Sequence, residues 1–287
     1  MTAPLSPTTF SPELSQEFGL QIYLKPEIHS ATGSYKDRLG PAAVAEAIAA
    51  GATKVVATSS GNQGLAIAHA ARAAGIPCLI LATQHILPVY RDTLRDLGAE
   101  LQTVPDMKAR TAALHAKIAE GWFPLSVAPE DRGRQVQQGK SGYAAIAREI
   151  VDALGAAPDF LILPVCFGDG CAGILLGFQQ LARERGTAIP KFIMIRATYA
   201  EDVAFSITSD ITTPEVSSTL AATRGASMYF KNADFLEAQR LGREAGLDLE
   251  ASAAAPFLAL RRYAADPGFP PGRVAVLLFT AKHRPGN

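Results

Sequence analysis

Along most of this chain, short continuous apolar runs alternate with longer segments whose apolar residues recur every three or four positions. The runs at 160–165 (Phe-Leu-Ile-Leu-Pro-Val) and 274–279 (Val-Ala-Val-Leu-Leu-Phe) contain no polar residue. Strands of that kind are covered on both faces, as in parallel sheets whose crossover helices lie on each side. Both runs are far too short to span a bilayer, which takes about 20 apolar residues.

The spacing predicts strands over 20–25, 54–58, 77–81, 100–104, 160–165, 191–197 and 273–279. It predicts helices over 36–50, 62–74, 87–97, 107–120, 140–154, 171–185, 233–245 and 252–264. Gly51, Gly75 and Gly98 stand just past three of these helices, where glycine closes the last turn. Asn232 is the expected cap of the helix at 233–245. Pro41 is tolerable in its helix only near the first turns. The result is an α/β chain. The polar stretch 126–138, with Asp131, Arg132, Gly133 and Arg134, is the expected hinge between two α/β lobes. The Ser/Thr-rich stretch 209–227 is expected as a loop with a short helix.

Composition narrows the function classes. The 287 residues are 48% hydrophobic, enough for a well-buried core, and the length suits one or two domains. Lys+Arg and Asp+Glu both number 27, so the formal charge is zero and a nucleic-acid partner is not expected. The three cysteines, Cys78, Cys166 and Cys171, form no C-x-x-C pair, which points to a reducing, cytoplasmic compartment. Cys78 and Cys166 lie in apolar runs and read as small core residues. The N-terminus lacks the basic and apolar regions of a signal peptide, and no membrane association is expected. The five histidines show no ligand spacing, and no metal is expected.

Four segments carry candidate chemistry. In Thr32-Gly33-Ser34-Tyr35-Lys36-Asp37-Arg38, a lysine opens a helix after a small-residue turn. An average lysine is solvated surface, but the helix end and partial desolvation both lower the pKa of this one, as a Schiff-base nucleophile requires. Ser59-Ser60-Gly61-Asn62-Gln63-Gly64 joins a strand to a helix. It reads as an ordinary capped turn or, by the same physics, as an anion site whose natural guest is a substrate carboxylate. Phe167-Gly168-Asp169-Gly170-Cys171-Ala172-Gly173 matches G-x-G-x-x-G between a strand and a helix. That match fits a dinucleotide or any phosphate monoester. Arg196 stands where a ribose-binding acid would be, which favours a phosphate cofactor and leaves an NADP site as the lesser reading. Thr280 follows the last strand and reads either as a plain strand-end hydroxyl or, at the strand end where open sheets bind ligands, as a hydrogen-bond partner for a ring nitrogen.

Together these segments resemble the fold type II pyridoxal-phosphate (PLP) enzymes, the tryptophan synthase β-like group. That group includes cysteine synthase, threonine synthase and the serine/threonine dehydratases. The lysine segment is similar to the family's P-T-G-S-F-K-D-R and 59–64 to its S-S-G-N-T-G. Glu250-Ala251-Ser252-Ala253-Ala254 resembles its E-P-x-S-A-A. The likeness runs from about Thr8 to about Lys282 and is nearest threonine synthase in flavour. It implies two open parallel-sheet lobes with helices on both faces and PLP between them. Residues 1–40 and 135–287 would form the larger cofactor-binding lobe and 41–134 a smaller mobile one.

The resemblance also implies roles. Lys36 carries the cofactor as a Schiff base and moves the α-proton. Asn62 meets the ring hydroxyl. Gly168, Asp169, Gly170, Cys171, Ala172 and Gly173 cradle the phosphate, with the Asp169 carboxylate turned away from it or binding something else. Thr280 meets the pyridine nitrogen. Ser59, Ser60, Gly61 and Gln63 bind the substrate carboxylate. A hydroxyl at 280 does not enforce ring protonation, which suits β-elimination and replacement better than transamination. The expected activity is β- or γ-elimination or replacement on a small L-amino acid, in a homodimer. A PLP- or amino-acid-binding relative without turnover, and an NADP-binding reductase, are the alternatives.

The chain departs from the family pattern at Ala31, Leu39, Gln63, Asp169 and Ala281. Gln63 is longer than the family's threonine and is placed to read the substrate side chain. The chain is short for the family, has no N-terminal extension and is abbreviated between 196 and 203, where loss of residues needed for phosphohomoserine is expected. Arg132, Arg134, Arg196 and Arg224 read as solvated surface in preference to a second anion site.

Overall fold

The computed structural model describes residues 6–127, 137–198, 203–208, 212–264 and 272–285. In chain order the elements are β1 (Thr9–Phe10), α1 (Pro12–Phe18), β2 (Gln21–Pro26), α2 (Lys36–Ala49), β3 (Val55–Thr58), α3 (Asn62–Ala74), β4 (Cys78–Thr83), α4 (Pro88–Asp96), β5 (Glu100–Val104), α5 (Met107–Ala119) and β6 (Phe123–Pro124). They continue with a 3-10 turn (Lys140–Tyr143), α6 (Ala144–Leu154), β7 (Phe160–Pro164), α7 (Asp169–Arg185), β8 (Lys191–Ala197), a second 3-10 turn (Phe205–Ile207), α8 (Pro214–Thr223), β9 (Ala226–Phe230), α9 (Asn232–Glu244), α10 (Ala251–Ala254), α11 (Pro256–Ala264) and β10 (Val274–Phe279).

The chain folds as two units. Among the described residues the first holds 30–127, 137–142 and 284–285, and the second holds 6–29, 143–198, 203–208, 212–264 and 272–283. The first unit has a four-stranded sheet in the order β5-β4-β3-β6 with every pairing parallel. Val56, Leu79, Leu81 and Leu114 form its buried centre, with Trp122 packed against them. Asp106 caps α5 by accepting the Ala109 N–H at 2.7 Å, and Gly75 ends α3 at φ +70°.

The second unit has a six-stranded sheet in the order β1-β2-β10-β7-β8-β9, parallel except for β1 against β2. Leu277 stands opposite Leu24 on one side and Ile162 on the other. This apolar face is covered by Phe235, Phe257 and Leu258 of α9 and α11. A buried ion pair also lies in this unit. Lys25 in β2 has no exposed surface and meets Glu149 Oε2 at 2.5 Å, Glu27 Oε1 at 3.6 Å and the Ser6 carbonyl.

The α/β class and the parallel sheets follow from the apolar runs. Several elements differ from their predicted form. The stretch 209–227 holds the expected short helix, α8, capped by Thr213 through the Val216 N–H, but it also runs into an unexpected strand, β9, paired with β8; residues 209–211 lie outside the described residues. β9 is a half-buried edge strand, so it lacks the continuous apolar run that marks a central one. The single helix at 252–264 is two, because Pro256 has no N–H to continue α10 and instead opens α11. Asn232 begins α9 rather than capping it. Its Oδ1 accepts the Val203 N–H at 3.0 Å, while Asp234 accepts the Lys231 N–H at 2.9 Å. α1 and the two-residue strands β1 and β6 carry too little pattern to be read from spacing. Most of the hinge at 126–138, with Arg132 and Arg134, lies outside the described residues. No helix among the described residues is long and apolar enough to cross a membrane.

Candidate active site

The turn before α2 is built by short polar residues acting on their own backbone. Gly33 takes φ +76°, a left-handed conformation that suits glycine. Ser30 Oγ donates to the Ser34 carbonyl at 2.9 Å and accepts the Ser34 N–H at 3.1 Å. The Asp37 carboxylate accepts both the Thr32 N–H and the Thr32 hydroxyl at 2.7 Å. An acidic group in the first turn also suits the positive helix end. This clamp sets Lys36 at the start of α2, half-buried, with Nζ 5.3 Å from the centre of the Tyr35 ring and donating to Gln63 Oε1 at 3.5 Å.

Gln63 belongs to the turn between β3 and α3. Ser59 Oγ accepts the Gly61 N–H at 3.2 Å and the Gly64 N–H at 2.9 Å, folding the turn back on itself. Gly64 permits that fold, since a Cβ there would stand 3.2 Å from Ser59 Cβ and 3.3 Å from Ile80 Cγ2. Ser60 Oγ accepts the Thr83 N–H at 3.3 Å. Gln63 Nε2 donates to Ser126 Oγ at 3.3 Å, and the same hydroxyl accepts the Thr58 N–H at 3.1 Å. Ser126 therefore orients Gln63, and through it the lysine amine. Asn62 Oδ1 accepts from Tyr90 Oη and from Arg284 Nε, both at 3.4 Å.

In the second unit, β7 feeds the glycine turn that opens α7. Gly168 is left-handed at φ +91°, and an added Cβ would stand 2.9 Å from both Glu215 Cβ and Val216 Cγ2. Thr213 Oγ1 braces the turn by donating to the Phe167 carbonyl at 2.6 Å. The helix begins at Asp169, two residues earlier than predicted, so Gly170 and Gly173 lie within its first turns. The first N–H groups of an α-helix have no acceptor within the helix. Here the Ala172 N–H donates to the Gly168 carbonyl at 2.9 Å and closes the first turn, so residues 169–171 form the helix start. A helix start of this kind fits a phosphate monoester.

The Cys171 sulfur is turned into the helix, the thiol pointing to the Gly168 carbonyl at 3.1 Å. Burial pushes it up to about 12, opposed by the Thr219 hydroxyl and reinforced by Asp169 and Glu215. Thr280 directly follows β10, beside the end of β7 in the same sheet, and is buried. The next residue, Ala281, accepts the Glu250 N–H at 3.3 Å, so the 250–254 segment packs at this strand end. Ser252 Oγ donates to Glu250 Oε1 at 2.7 Å.

The structure thus groups Lys36, Ser59, Ser60, Gly61, Asn62 and Gln63 in the first unit, and Gly168, Asp169, Gly170, Cys171, Ala172, Gly173 and Thr280 in the second. Ser126, Tyr90 and Arg284 escape the sequence reading. Each is remote along the chain from what it touches and sits in no motif. Arg196 corrects the surface reading. It is 1% exposed on β8, donates to Tyr229 Oη at 3.2 Å and Thr212 Oγ1 at 3.4 Å, and lies over the Tyr229 ring. Arg224 is exposed, as expected.

The family model for "Pyridoxal-phosphate dependent enzyme" matches residues 3–281. The chain belongs to this family. Its cofactor is pyridoxal 5'-phosphate, and each unit carries groups whose chemistry suits it: in the first an amine and a side-chain amide, in the second a glycine-lined helix start and a buried hydroxyl at a strand end. The chain is 28% identical over 204 residues to a threonine synthase of Halalkalibacterium halodurans, covering 69% of this chain and 54% of that protein. It is 27% identical over 217 residues to a serine dehydratase-like protein of Mus musculus, covering 75% of this chain and 63% of that protein. It therefore spans less than two thirds of the length of these relatives. A solved pyridoxal 5'-phosphate-dependent aspartate racemase shares the fold, with a TM-score of 0.82 at 19% identity over 98% of this chain and 91% of the other.

Proposed function

We propose that this enzyme acts on a small L-amino acid with a β- or γ-leaving group, by elimination or replacement in the manner of threonine synthases and serine/threonine dehydratases. The observation that carries the reading is the Lys36 amine held against Gln63 of the Ser59–Gly64 turn. A base and a carboxylate-binding turn are what α-proton removal from an amino acid requires. The two relatives above, named for threonine synthase and serine dehydratase-like activity, support the same class.

When bound, PLP supplies an electron sink for the α-carbon. Lys36 takes the proton from that carbon and returns it later in the cycle. The Ser59–Gly61 turn holds the substrate carboxylate, the Ser59 hydroxyl and the Gly61 amide bracing the turn itself, and Gln63 faces the substrate side chain while keeping the lysine amine in place. The glycine turn at 168–173, through the start of α7, would hold the cofactor phosphate, Asn62 would meet the ring oxygen, and Thr280 would meet the ring nitrogen without enforcing its protonation.

The test is product formation by the full chain with PLP on phosphoserine, serine, threonine and phosphohomoserine, read as 2-oxo acid, ammonia and phosphate release. Loss of the leaving group from one of these, abolished in Lys36→Ala, is expected. Interconversion of L and D forms without loss of a leaving group would replace this reading with racemisation. Full turnover by Lys36→Ala would remove the lysine from its role.

A further inference from the structure

We infer that Arg284, assisted by Tyr90, is a positioning residue that sets which face of the Asn62 amide meets the cofactor. The inference rests on the assignment of Asn62 to the cofactor ring made above. A guanidinium can only donate hydrogen bonds. The Asn62 atom facing Arg284 Nε at 3.4 Å must therefore be its oxygen, and Tyr90 Oη donates to that same oxygen at 3.4 Å. With its oxygen engaged by two donors, the amide turns its NH2 the other way, as a donor. Both contacts are long, so neither alone holds the amide firmly, and the pair acts together.

Arg284 is itself fixed. It is 7% exposed, donates through Nη2 to the Thr32 carbonyl and lies 5.3 Å from the centre of the Tyr90 ring. Thr32 is the residue clamped by Asp37 next to Lys36. A continuous chain of contacts thus runs from Asp37 through Thr32, Arg284 and Asn62 to Tyr90, joining the turn before α2 to the start of α3. Without the guanidinium, the amide is free to flip and present an acceptor to the oxygen of the ring, where two acceptors repel.

The test is PLP titration of the full-length apoprotein, read as dissociation constant and as wavelength of the visible band. The variants are Arg284→Met, Arg284→Lys, Tyr90→Phe and Asn62→Ala, with Arg284→Met also made in the Asn62→Ala background. Loss of one hydrogen-bonding partner corresponds to about three- to tenfold weaker binding for Arg284→Met. Its band should move in the same direction as that of Asn62→Ala, and Arg284→Lys should recover part of both effects. In the Asn62→Ala background, Arg284→Met should add less than about twofold, because residues acting through one another are not additive. Equal losses in both backgrounds would overturn the inference, as would an unchanged constant and band in Arg284→Met. If Asn62→Ala leaves both readouts unchanged, the assignment of Asn62 fails, and the inference with it. Should Arg284→Met not fold, as judged by melting of the apoprotein, Tyr90→Phe in the two backgrounds makes the same comparison.

Discussion

Gly40 lies one turn beyond Lys36 on α2, where that helix meets α3. A Cβ at this position would run into the Ala66 carbonyl oxygen and stand 2.7 Å from the carbonyl carbon. Ordinary contact begins at 3.4 Å, so the shortfall is about 0.7 Å against that carbon alone. The obstacle is backbone, so no rotamer change relieves it, and the two helices must part. Two terms compete in Gly40→Ala. Exchange of glycine for alanine inside a helix gains about 1 kcal/mol. Overpacking costs about 1–3 kcal/mol, and a backbone obstacle places this site at the upper end. The net expectation is a loss of about 1–2 kcal/mol, or about 2–8 °C in melting midpoint. Because α2 starts with Lys36 and α3 with Asn62, PLP binding should weaken as well. The assay is thermal melting of the apoprotein followed by PLP titration. A midpoint equal to or above that of the parent protein would show that α2 and α3 tolerate a methyl group between them and refute the argument.

Other expectations follow from the same structure. Asp37→Ala strips the Thr32 N–H and hydroxyl of their shared acceptor, and a loss of about 1.5–3 kcal/mol in denaturant unfolding is expected. Lys25→Ala leaves Glu149 and Glu27 without their buried cation, which should cost about 3–5 kcal/mol, whereas replacing Glu149 at the same time should lessen the loss. Burial pushes the thiols of Cys78 and Cys171 up to about 12 from an ordinary 9.0, so in the folded protein both should resist alkylation at mildly alkaline pH. Half-buried Cys166 should be modified first, as read by peptide mass spectrometry. Between pH 9 and 12 the unfolded chain has released those two protons and the folded chain has kept them. Their contribution to stability is thus full below pH 9 and is lost as pH rises through 12, and Cys78→Ala with Cys171→Ala should flatten the alkaline limb of the stability profile.

What the sequence discloses here is what neighbouring residues do to one another. The helix opened by Lys36, the turn at 59–64 and the glycine turn before α7 are local devices, each written in fewer than about ten consecutive residues, and local devices leave motifs. The buried central strands β7 and β10 were legible for the same reason, since both faces are covered and the run is wholly apolar. β9 was not, because an edge strand with half-buried side chains looks like a loop with a few apolar residues. Ser126 was hidden differently. A serine after a two-residue strand carries no pattern, and its value lies in pairing with Thr58 and Gln63 more than sixty positions away. Arg196 misled because arginine is usually at the surface. Only the Tyr229 and Thr212 hydroxyls on neighbouring segments reveal that this one is enclosed.

The three chemical turns share one construction. In each, a parallel strand ends, a short polar or glycine-bearing segment turns, and a helix begins. This occurs from β2 to α2, from β3 to α3 and from β7 to α7. That construction favours anions wherever it occurs and so cannot by itself distinguish one reaction from another. Discrimination has to come from side chains whose orientation the turn does not set. Two are visible. Gln63 is oriented by Ser126 and meets the lysine amine, while Asn62 is oriented by Tyr90 and Arg284. Both supports are long-range, so either can change without disturbing the motif it serves. A chain with intact lysine and glycine segments but an altered residue at 126 should therefore bind the same cofactor and differ in what it does with a substrate. The exchange Ser126→Ala probes this, since it leaves every amide of the three turns in place. A changed order of preference among serine, threonine and their phosphorylated forms, with PLP affinity within about twofold of the parent, is the expected outcome. An unchanged order of preference would assign the discrimination to the turns themselves.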